Sequence, residues 1–178
     1  MSVYRVASRY AKSLLDLAKG KSLLDELHKD MQLFSSVCEQ NRDFALMLKN
    51  PVITNEKKAS VLTKIFEGKV HPVTITFFDI ITRKHREKFL PAIATEFHKQ
   101  FNLLHNIGMA SVTTVFPLDQ TLRQDFKDLV IHYTGKAEVE LEEEVDEELI
   151  GGYQLKLEGK QVDESLKGKL KELSLKFT

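Results

Sequence analysis

The chain has 178 residues, of which 42% are hydrophobic and 29% charged, and this composition is typical of one soluble globular domain or two small ones. Basic and acidic side chains both number 26, so the net charge is zero and uniform binding along a nucleic acid is not favoured. A single cysteine excludes an internal disulfide. No apolar run reaches the roughly 20 residues of a membrane span, and the first ten residues lack the apolar core of a secretory signal.

The first 107 residues predict six helices with short connections, because apolar residues recur there at helical spacing. Asn50-Pro51 should end the third helix, since proline disfavours helix in the residue before it, and Pro72 suits the first position of the fifth. The expected helices run from about Ser2 to Gly20, Ser22 to Gln40, Arg42 to Lys49, Thr54 to Gly68, from Pro72 onward, and through Leu90 to Leu104. This pattern predicts a compact helical bundle.

After Gly108 the period changes from helical to alternating. Alternation predicts three strands, around Ala110–Phe116, Ala137–Glu142 and Tyr153–Leu157, and helical spacing predicts a helix after Pro117 and a last helix capped by Asp163. The expected fold is therefore mainly α with a small α+β part: a six-helix bundle over residues 1–107, then a strand–helix–strand–strand–helix domain over 108–178. The two parts carry net charges of +6 and −6, which suggests different partners or mutual attraction.

No arrangement for catalysis or metal binding emerges from the sequence. The six histidines show no ligand spacing, and Cys38 falls on the apolar stripe of the second helix, as a core residue would. The acidic run Glu138–Glu148 lacks the pattern of a calcium loop, so a solvated face or a surface for a basic partner is expected. We therefore predict no enzyme activity, no cofactor and no metal.

The glycines Gly151 and Gly152 follow the acidic run and raise the possibility of a phosphate loop. Neither phosphate-binding glycine motif is present, and Asp163 would occupy the helix end that an anion would need. We instead expect a bulge or a tight entry into a strand, where a missing Cβ lets another segment approach closely.

The basic residues of the first half are dispersed, and no RNA-binding strand motif is present. An RNA-binding or regulatory α+β protein that acts on its own stays open as an alternative, which salt-sensitive RNA binding would favour.

Four short motifs occur in order along the chain and resemble one family. They are Ala7-Ser8-Arg9-Tyr10-Ala11-Lys12-Ser13-Leu14; Asn50-Pro51-Val52-Ile53 with Lys57 or Lys58; Phe77 to Arg86; and Val145-Asp146, Leu149-Ile150-Gly151-Gly152, Leu155, Asp163 and Ser165. Their order and spacing resemble the delta subunit of bacterial F-type ATP synthase, the counterpart of the mitochondrial oligomycin-sensitivity-conferring protein. The resemblance covers essentially the whole chain.

This resemblance implies a non-catalytic stator subunit in ATP synthesis driven by hydrogen ion transport. Such a subunit links the alpha and beta subunits of the catalytic head to the b subunits of the peripheral stalk, and so resists rotor torque. It also implies a peripheral place at the cytoplasmic face of the bacterial inner membrane, with contact to the membrane only through the complex and none to nucleic acid.

The resemblance further implies that the N-terminal bundle holds the N-terminal helix of an alpha subunit in a groove between its first and fifth helices. The residues expected there are Ala7, Tyr10, Ala11, Ser13, Leu14, Phe77, Phe78 and Ile81. Ser13 and Phe78 are favoured because each falls off the main core stripe of its helix. Apolar residues of the last helix would bind the b subunits, and Asp146, Gly151, Gly152, Asp163 and Ser165 form the family signature.

Overall fold

The structure is a computed structural model that describes residues 3–157 and 159–176, without the side chain of Lys176. Ser2, where the first helix is predicted to start, and Phe177, an apolar residue expected on the last helix, lie outside the described residues. The chain forms two compact units that divide between Phe101 and Asn102. The predicted fold class, mainly α with a small α+β part, is confirmed.

The first unit is helical. Its elements are α1 (Val3–Gly20), α2 (Leu24–Gln40), α3 (Arg42–Lys49), α4 (Asn55–Phe66), α5 (Pro72–Arg83), a 3-10 helix (Glu87–Phe89) and α6 (Leu90–Leu104), whose last turn extends past the division between the units. The predicted third helix has the observed bounds, and α5 begins at Pro72 as expected. The segment between α5 and α6 contains no glycine, and His85 there adopts a positive φ of 55°.

Four phenylalanines from different helices form the centre of this unit. The Phe34 ring centroid lies 5.1 Å from that of Phe78 and 5.6 Å from that of Phe66, and Phe44 packs beside them at 6.0 Å from Phe34. Aromatic pairs at these separations add to the stability that their buried area provides. The cluster therefore joins α2, α3, α4 and α5.

A buried carboxylate fixes the start of α5. Asp30 of α2 accepts hydrogen bonds from the backbone N–H of His71 (2.8 Å) and from the Thr74 hydroxyl (2.5 Å). Because the N-terminus of a helix carries partial positive charge and unpaired N–H groups, a carboxylate is stabilising there. The contact also pairs the Thr74 hydroxyl, so that this polar side chain can lie on the buried side of α5.

The second unit is a four-stranded sheet with helices. Its elements are β1 (Ile107–Thr114), α7 (Gln120–Thr134), β2 (Glu138–Val145), a 3-10 helix (Glu147–Leu149), β3 (Tyr153–Leu157), β4 (Lys160–Asp163) and α8 (Leu166–Lys176). The strand order is β2-β1-β3-β4, with β1 and β2 parallel and the other pairs antiparallel. One sheet face and α7 enclose the core, in which Val112, Val130 and Leu155 are fully buried.

The predicted strand–helix–strand–strand–helix order omitted β4. Val162 is the only apolar residue in Lys160–Asp163, so the segment has no alternating pattern. It becomes a strand because it pairs along β3, from Gln154 opposite Asp163 to Leu157 opposite Lys160. A short, polar strand at a sheet edge is held by pairing and not by its own sequence pattern.

Candidate partner-binding surfaces

Most of the predicted groove residues are buried within the first unit. Ala7, Ala11 and Leu14 form the inward face of α1, and Ile81 is fully buried on α5. Small residues at positions 7 and 11 allow close helix packing, and here that packing is within the chain. These four residues can support a binding surface, but their side chains are not on it.

The expectation that Phe78 lies off the core stripe of its helix is wrong. Phe78 is only 2% exposed and packs between Phe34 and Phe66. The buried face of α5 is centred on Thr74, Phe78 and Ile81, and the Thr74 hydroxyl on that face is paired with Asp30. The pattern of apolar residues in the sequence does not reveal this buried face, because it includes two buried threonines, Thr74 and Thr82.

Beside its buried face, α5 carries apolar residues that are at least partly exposed. Val73 and Phe77 are partly exposed and Ile80 is 47% exposed, at positions i, i+4 and i+7. We call these three residues the α5 stripe. Of these three, Phe77 is among the groove residues that the sequence predicts.

One side of α1 also faces solvent with partly apolar character. Tyr10, Ser13 and Leu17 recur at i, i+3 and i+7, with Tyr10 partly buried and the other two exposed; we call them the α1 stripe. The guanidinium of Arg86 donates a hydrogen bond to the Tyr10 hydroxyl at 2.8 Å and lies 5.5 Å from the ring centroid. Because Arg86 comes three residues after α5, this contact links the middle of α1 to the end of α5.

A buried ion pair supports the same end of α5. The Lys58 ammonium lies 2.7 Å from Glu87 Oε1 and donates to the carbonyl of Leu48 at 3.1 Å, and both charged side chains are buried. The sequence had left Lys57 or Lys58 as the motif lysine; Lys57 is exposed, so Lys58 is the one with a structural partner. Among the described residues, Glu87 Oε2 has no hydrogen-bond partner.

In the second unit, Gly152 sits where a side chain has no room. Its φ is +78°, and a Cβ there would lie 2.3 Å from the carbonyl oxygen of Glu164. A Cβ on Gly151 would lie 2.8 Å from a methyl group of Leu166. The two glycines therefore form a tight entry into β3 against the segment that starts α8, and no ligand loop is needed to explain them.

Asp163 and Ser165 organise that start. Asp163 Oδ1 accepts from both the hydroxyl (2.6 Å) and the N–H (2.9 Å) of Ser165, and these hydrogen bonds lower the pKa of the Asp163 carboxyl. The Ser165 hydroxyl then accepts from the N–H of Gly168 at 3.0 Å. Ser165 is thus the residue that caps α8, and Asp163, predicted to be the cap, orients it from the end of β4.

Asp146 shapes the turn before the glycines. Its carboxylate accepts from the N–H of Glu148 at 2.9 Å, and its own N–H donates to the carbonyl of Thr114 at 2.8 Å. The side chains of the acidic run around it are exposed. Across the part of the chain that the structure describes, no three His, Cys, Asp or Glu side chains come together in a group that could hold a metal ion.

The last helix presents an uncovered apolar stripe. Leu166, Leu170 and Leu173 lie at i, i+4 and i+7 of α8 and are 49%, 58% and 50% exposed; we call them the α8 stripe. Beyond its first turn, every described side chain from Lys169 to Leu175 is exposed. The first turn of this helix packs against its own unit, where Leu166 approaches Gly151, and the side chains that follow are exposed.

Cys38 has a chemical environment that disfavours reactivity. Burial, together with the neighbouring Glu39 carboxylate, raises the pKa of the thiol to about 11. The thiolate is the nucleophilic form of cysteine, so this side chain stays protonated at neutral pH.

With this geometry in place, comparison with known proteins identifies the family. The family model for the ATP synthase delta (OSCP) subunit matches residues 6–177. The chain belongs to the ATP synthase delta (OSCP) subunit family. The resemblance carried by the four motifs is thereby confirmed, and the alternative of an RNA-binding or regulatory protein that acts on its own is set aside.

Relatives in this family align over the full chain. The ATP synthase subunit delta of Cytophaga hutchinsonii is 39% identical over 178 residues, which cover 100% of this chain and 97% of the relative. That of Amoebophilus asiaticus is 37% identical over 98% of this chain and 95% of the relative. A chain in the Toxoplasma gondii mitochondrial ATP synthase hexamer matches with a TM-score of 0.76 over 96% of both chains; at 17% identity this likeness concerns the fold.

As a delta (OSCP) subunit, the chain is a structural, non-catalytic component of ATP synthase and acts in its stator. ATP synthase is a membrane-associated complex, and the partners of this chain are other subunits of it. None of the described helices is long and apolar enough to cross a membrane.

Proposed function

We propose that the chain links the alpha and beta subunits of the catalytic head to the b subunits of the peripheral stalk, one partner for each part of the chain. Residues 1–107 would bind the head and residues 108–178 the stalk. The observation that carries this proposal is that each part has an apolar stripe that its own core does not use. We also propose that this places the subunit at the cytoplasmic face of the bacterial inner membrane.

On the head side, we assign the N-terminal helix of an alpha subunit to the α1 and α5 stripes. Tyr10, Leu17, Phe77 and Ile80 offer partly exposed apolar surface, and an amphipathic helix can bury such residues in a groove. The buried residues Ala7, Ala11, Leu14, Phe78 and Ile81 form the floor that supports them. Ser13 is also proposed to contact the alpha-subunit helix directly, because it is exposed on the α1 stripe.

On the stalk side, we assign the end of the b-subunit helices to the α8 stripe. An isolated helix of about 11 residues is marginal in water, and the described side chains of α8 from Lys169 to Leu175 are exposed. A partner helix laid along Leu166, Leu170 and Leu173 would supply the missing contacts. Asp146, Gly151, Gly152, Asp163 and Ser165 serve this surface by fixing the position from which α8 departs.

The head-side assignment is tested by calorimetric titration of the full chain with a peptide of the alpha-subunit N-terminus. Leu17→Asp and Ile80→Asp should each weaken binding by at least tenfold, because they place a charge on an apolar contact. Leu46→Asp on α3 is the control, since Leu46 has similar exposure (52%) and lies on neither stripe. Equal affinity in all three variants would reject the groove. Phe78→Asp is unsuitable, because it would place a charge in the core.

A further inference from the structure

Ile150 combines two features that are costly to a protein on its own. It is a β-branched residue with φ 66° and ψ −33°, a conformation that such residues rarely adopt. Its side chain is nevertheless 64% exposed, so burial within its own unit does not compensate for the strain. Backbone strain that the fold maintains is a reason to look for a functional role.

The surrounding contacts explain how the strain is held. Before Ile150, Leu149 is buried and its N–H donates to the carbonyl of Asp146. After it, the carbonyl of Gly151 accepts from the N–H of Leu166 at 2.9 Å. The chain is fixed on both sides, and Ile150 is left at the surface between these two anchor points.

Ile150 lies next to the start of the α8 stripe. Gly151, its neighbour in the chain, is so close to Leu166 that a Cβ would lie 2.8 Å from a Leu166 methyl group. The exposed apolar surface of α8 therefore begins beside Ile150 and continues along the helix. We call Ile150 and the α8 stripe together the Ile150–α8 surface.

The charges that border this surface indicate the chemistry of its partner. Lys167 and Lys169 flank the leucines on opposite sides of α8, and each pairs with a partly or fully exposed carboxylate, Glu148 at 2.9 Å and Glu164 at 2.6 Å. Exposed pairs of this kind contribute little and can exchange partners. A spacing of four and then three residues is that of a coiled-coil seam, where flanking charges select the partner.

We propose that Ile150 is an apolar anchor of the stalk contact and that the Ile150–α8 surface takes one amphipathic helix whose apolar stripe is bordered by carboxylates. The inference rests on the proposed binding of the b subunits and adds which residue begins the contact and which charge the partner carries. Strain at Ile150 holds its side chain out for the partner, so little ordering is needed on binding.

Binding of the full chain to the extramembrane portion of the b subunits of the same synthase tests the proposal. Ile150→Asn should weaken binding about tenfold while the thermal unfolding midpoint stays unchanged or rises, because asparagine tolerates positive φ better than isoleucine. Ile150→Gly should weaken binding to the same extent as Ile150→Asn. Leu175→Asn is the control: Leu175 is 72% exposed and lies on the opposite side of α8 from the stripe.

Charge is tested by the double variant Lys167→Glu and Lys169→Glu against Lys171→Glu, since Lys171 lies away from the surface. The double variant should lose at least tenfold in affinity and the single variant less than twofold. Equal losses would overturn the carboxylate-bordered partner, and full binding by Ile150→Asn and Ile150→Gly would overturn the anchor.

The outcomes also separate this inference from the function on which it rests. If the wild-type chain fails to bind the b-subunit portion, the stalk assignment itself fails. If Leu170→Asp abolishes binding while the Ile150 variants bind normally, the stalk assignment stands and the anchor is rejected. Concentration-dependent self-association that Leu170→Asp abolishes would make a second copy the occupant and would overturn the proposal.

Discussion

Replacing Gly152 with alanine should selectively destabilise the second unit. Alanine at φ +78° is strained by about 1–2 kcal/mol, and its Cβ would lie 2.3 Å from the Glu164 carbonyl oxygen. Relief requires the Glu164–Ser165 backbone to move by roughly 1 Å, since non-bonded contacts are normally about 3.5 Å. That movement would disturb the hydrogen bonds from Glu164 N–H to Tyr153 and from Leu166 N–H to Gly151, both 2.9 Å.

The expected loss in the free energy of unfolding is the sum of the backbone strain and the two disturbed hydrogen bonds. Each backbone hydrogen bond contributes about 0.5–1.5 kcal/mol net, so together with the strain the loss is about 2–5 kcal/mol. Gly135→Ala is the matched control, because Gly135 also has positive φ (+66°) but no atom within 4 Å of the position of a Cβ. Gly135→Ala should lower the free energy of unfolding only by the backbone strain, about 1–2 kcal/mol.

Hydrogen exchange with mass spectrometry on the full chain measures this locally. In Gly152→Ala, peptides from β3, β4 and α8 should exchange faster than in Gly135→Ala, and peptides from α2 to α5 should match the wild type. The close approach of Glu164 would be refuted as the cause if both alanine variants destabilised the second unit equally.

Two further predictions concern the first unit. Because burial and Glu39 raise the pKa of Cys38 to about 11 from an ordinary 9.0, alkylation by iodoacetamide near pH 7.5 should be about a hundredfold slower than for a free thiol. The rate should keep rising up to pH 10, and a plateau near pH 9 would contradict the raised pKa. Lys58→Ala should lower the free energy of unfolding by about 3–5 kcal/mol, because it leaves the buried Glu87 carboxylate unpaired. Lys57 is exposed, so Lys57→Ala should change the free energy of unfolding by less than about 0.5 kcal/mol. Equal effects of the two variants in a denaturant titration would show that the Lys58–Glu87 pair does not stabilise the fold.

Local chemistry in the sequence was sufficient for most of the helices. Pro51 and Pro72 mark the end of α3 and the start of α5, because proline restricts the residue before it and suits the first turn of a helix. Alternation located β1, β2 and β3. The family followed from short motifs whose order extends over the whole chain.

Features that depend on contacts between residues far apart in the sequence could not be predicted from such local patterns. Thr74 lies on the buried side of α5, where Asp30, 44 residues away in the sequence, pairs its hydroxyl, and Phe78 on the same side packs against Phe34 and Phe66, so the expectation for Phe78 was wrong. Strand β4 exists through its pairing with β3, and the residue that caps α8 is Ser165, which Asp163 orients. The exposed stripe on α5 appears only once the buried face is known.

The sequence by itself determined the fold class and the family, because periodicity, proline positions and motif spacing are local properties, whereas the need for glycine at position 152 comes from the approach of the Glu164 backbone. Only the tertiary structure decided which apolar residues remain outside the cores. Leu166, Leu170 and Leu173 have the same spacing as any buried stripe, and exposure alone distinguishes them. The strain at Ile150 likewise arises because contacts on both sides, to Asp146 and to Leu166, hold the chain between them.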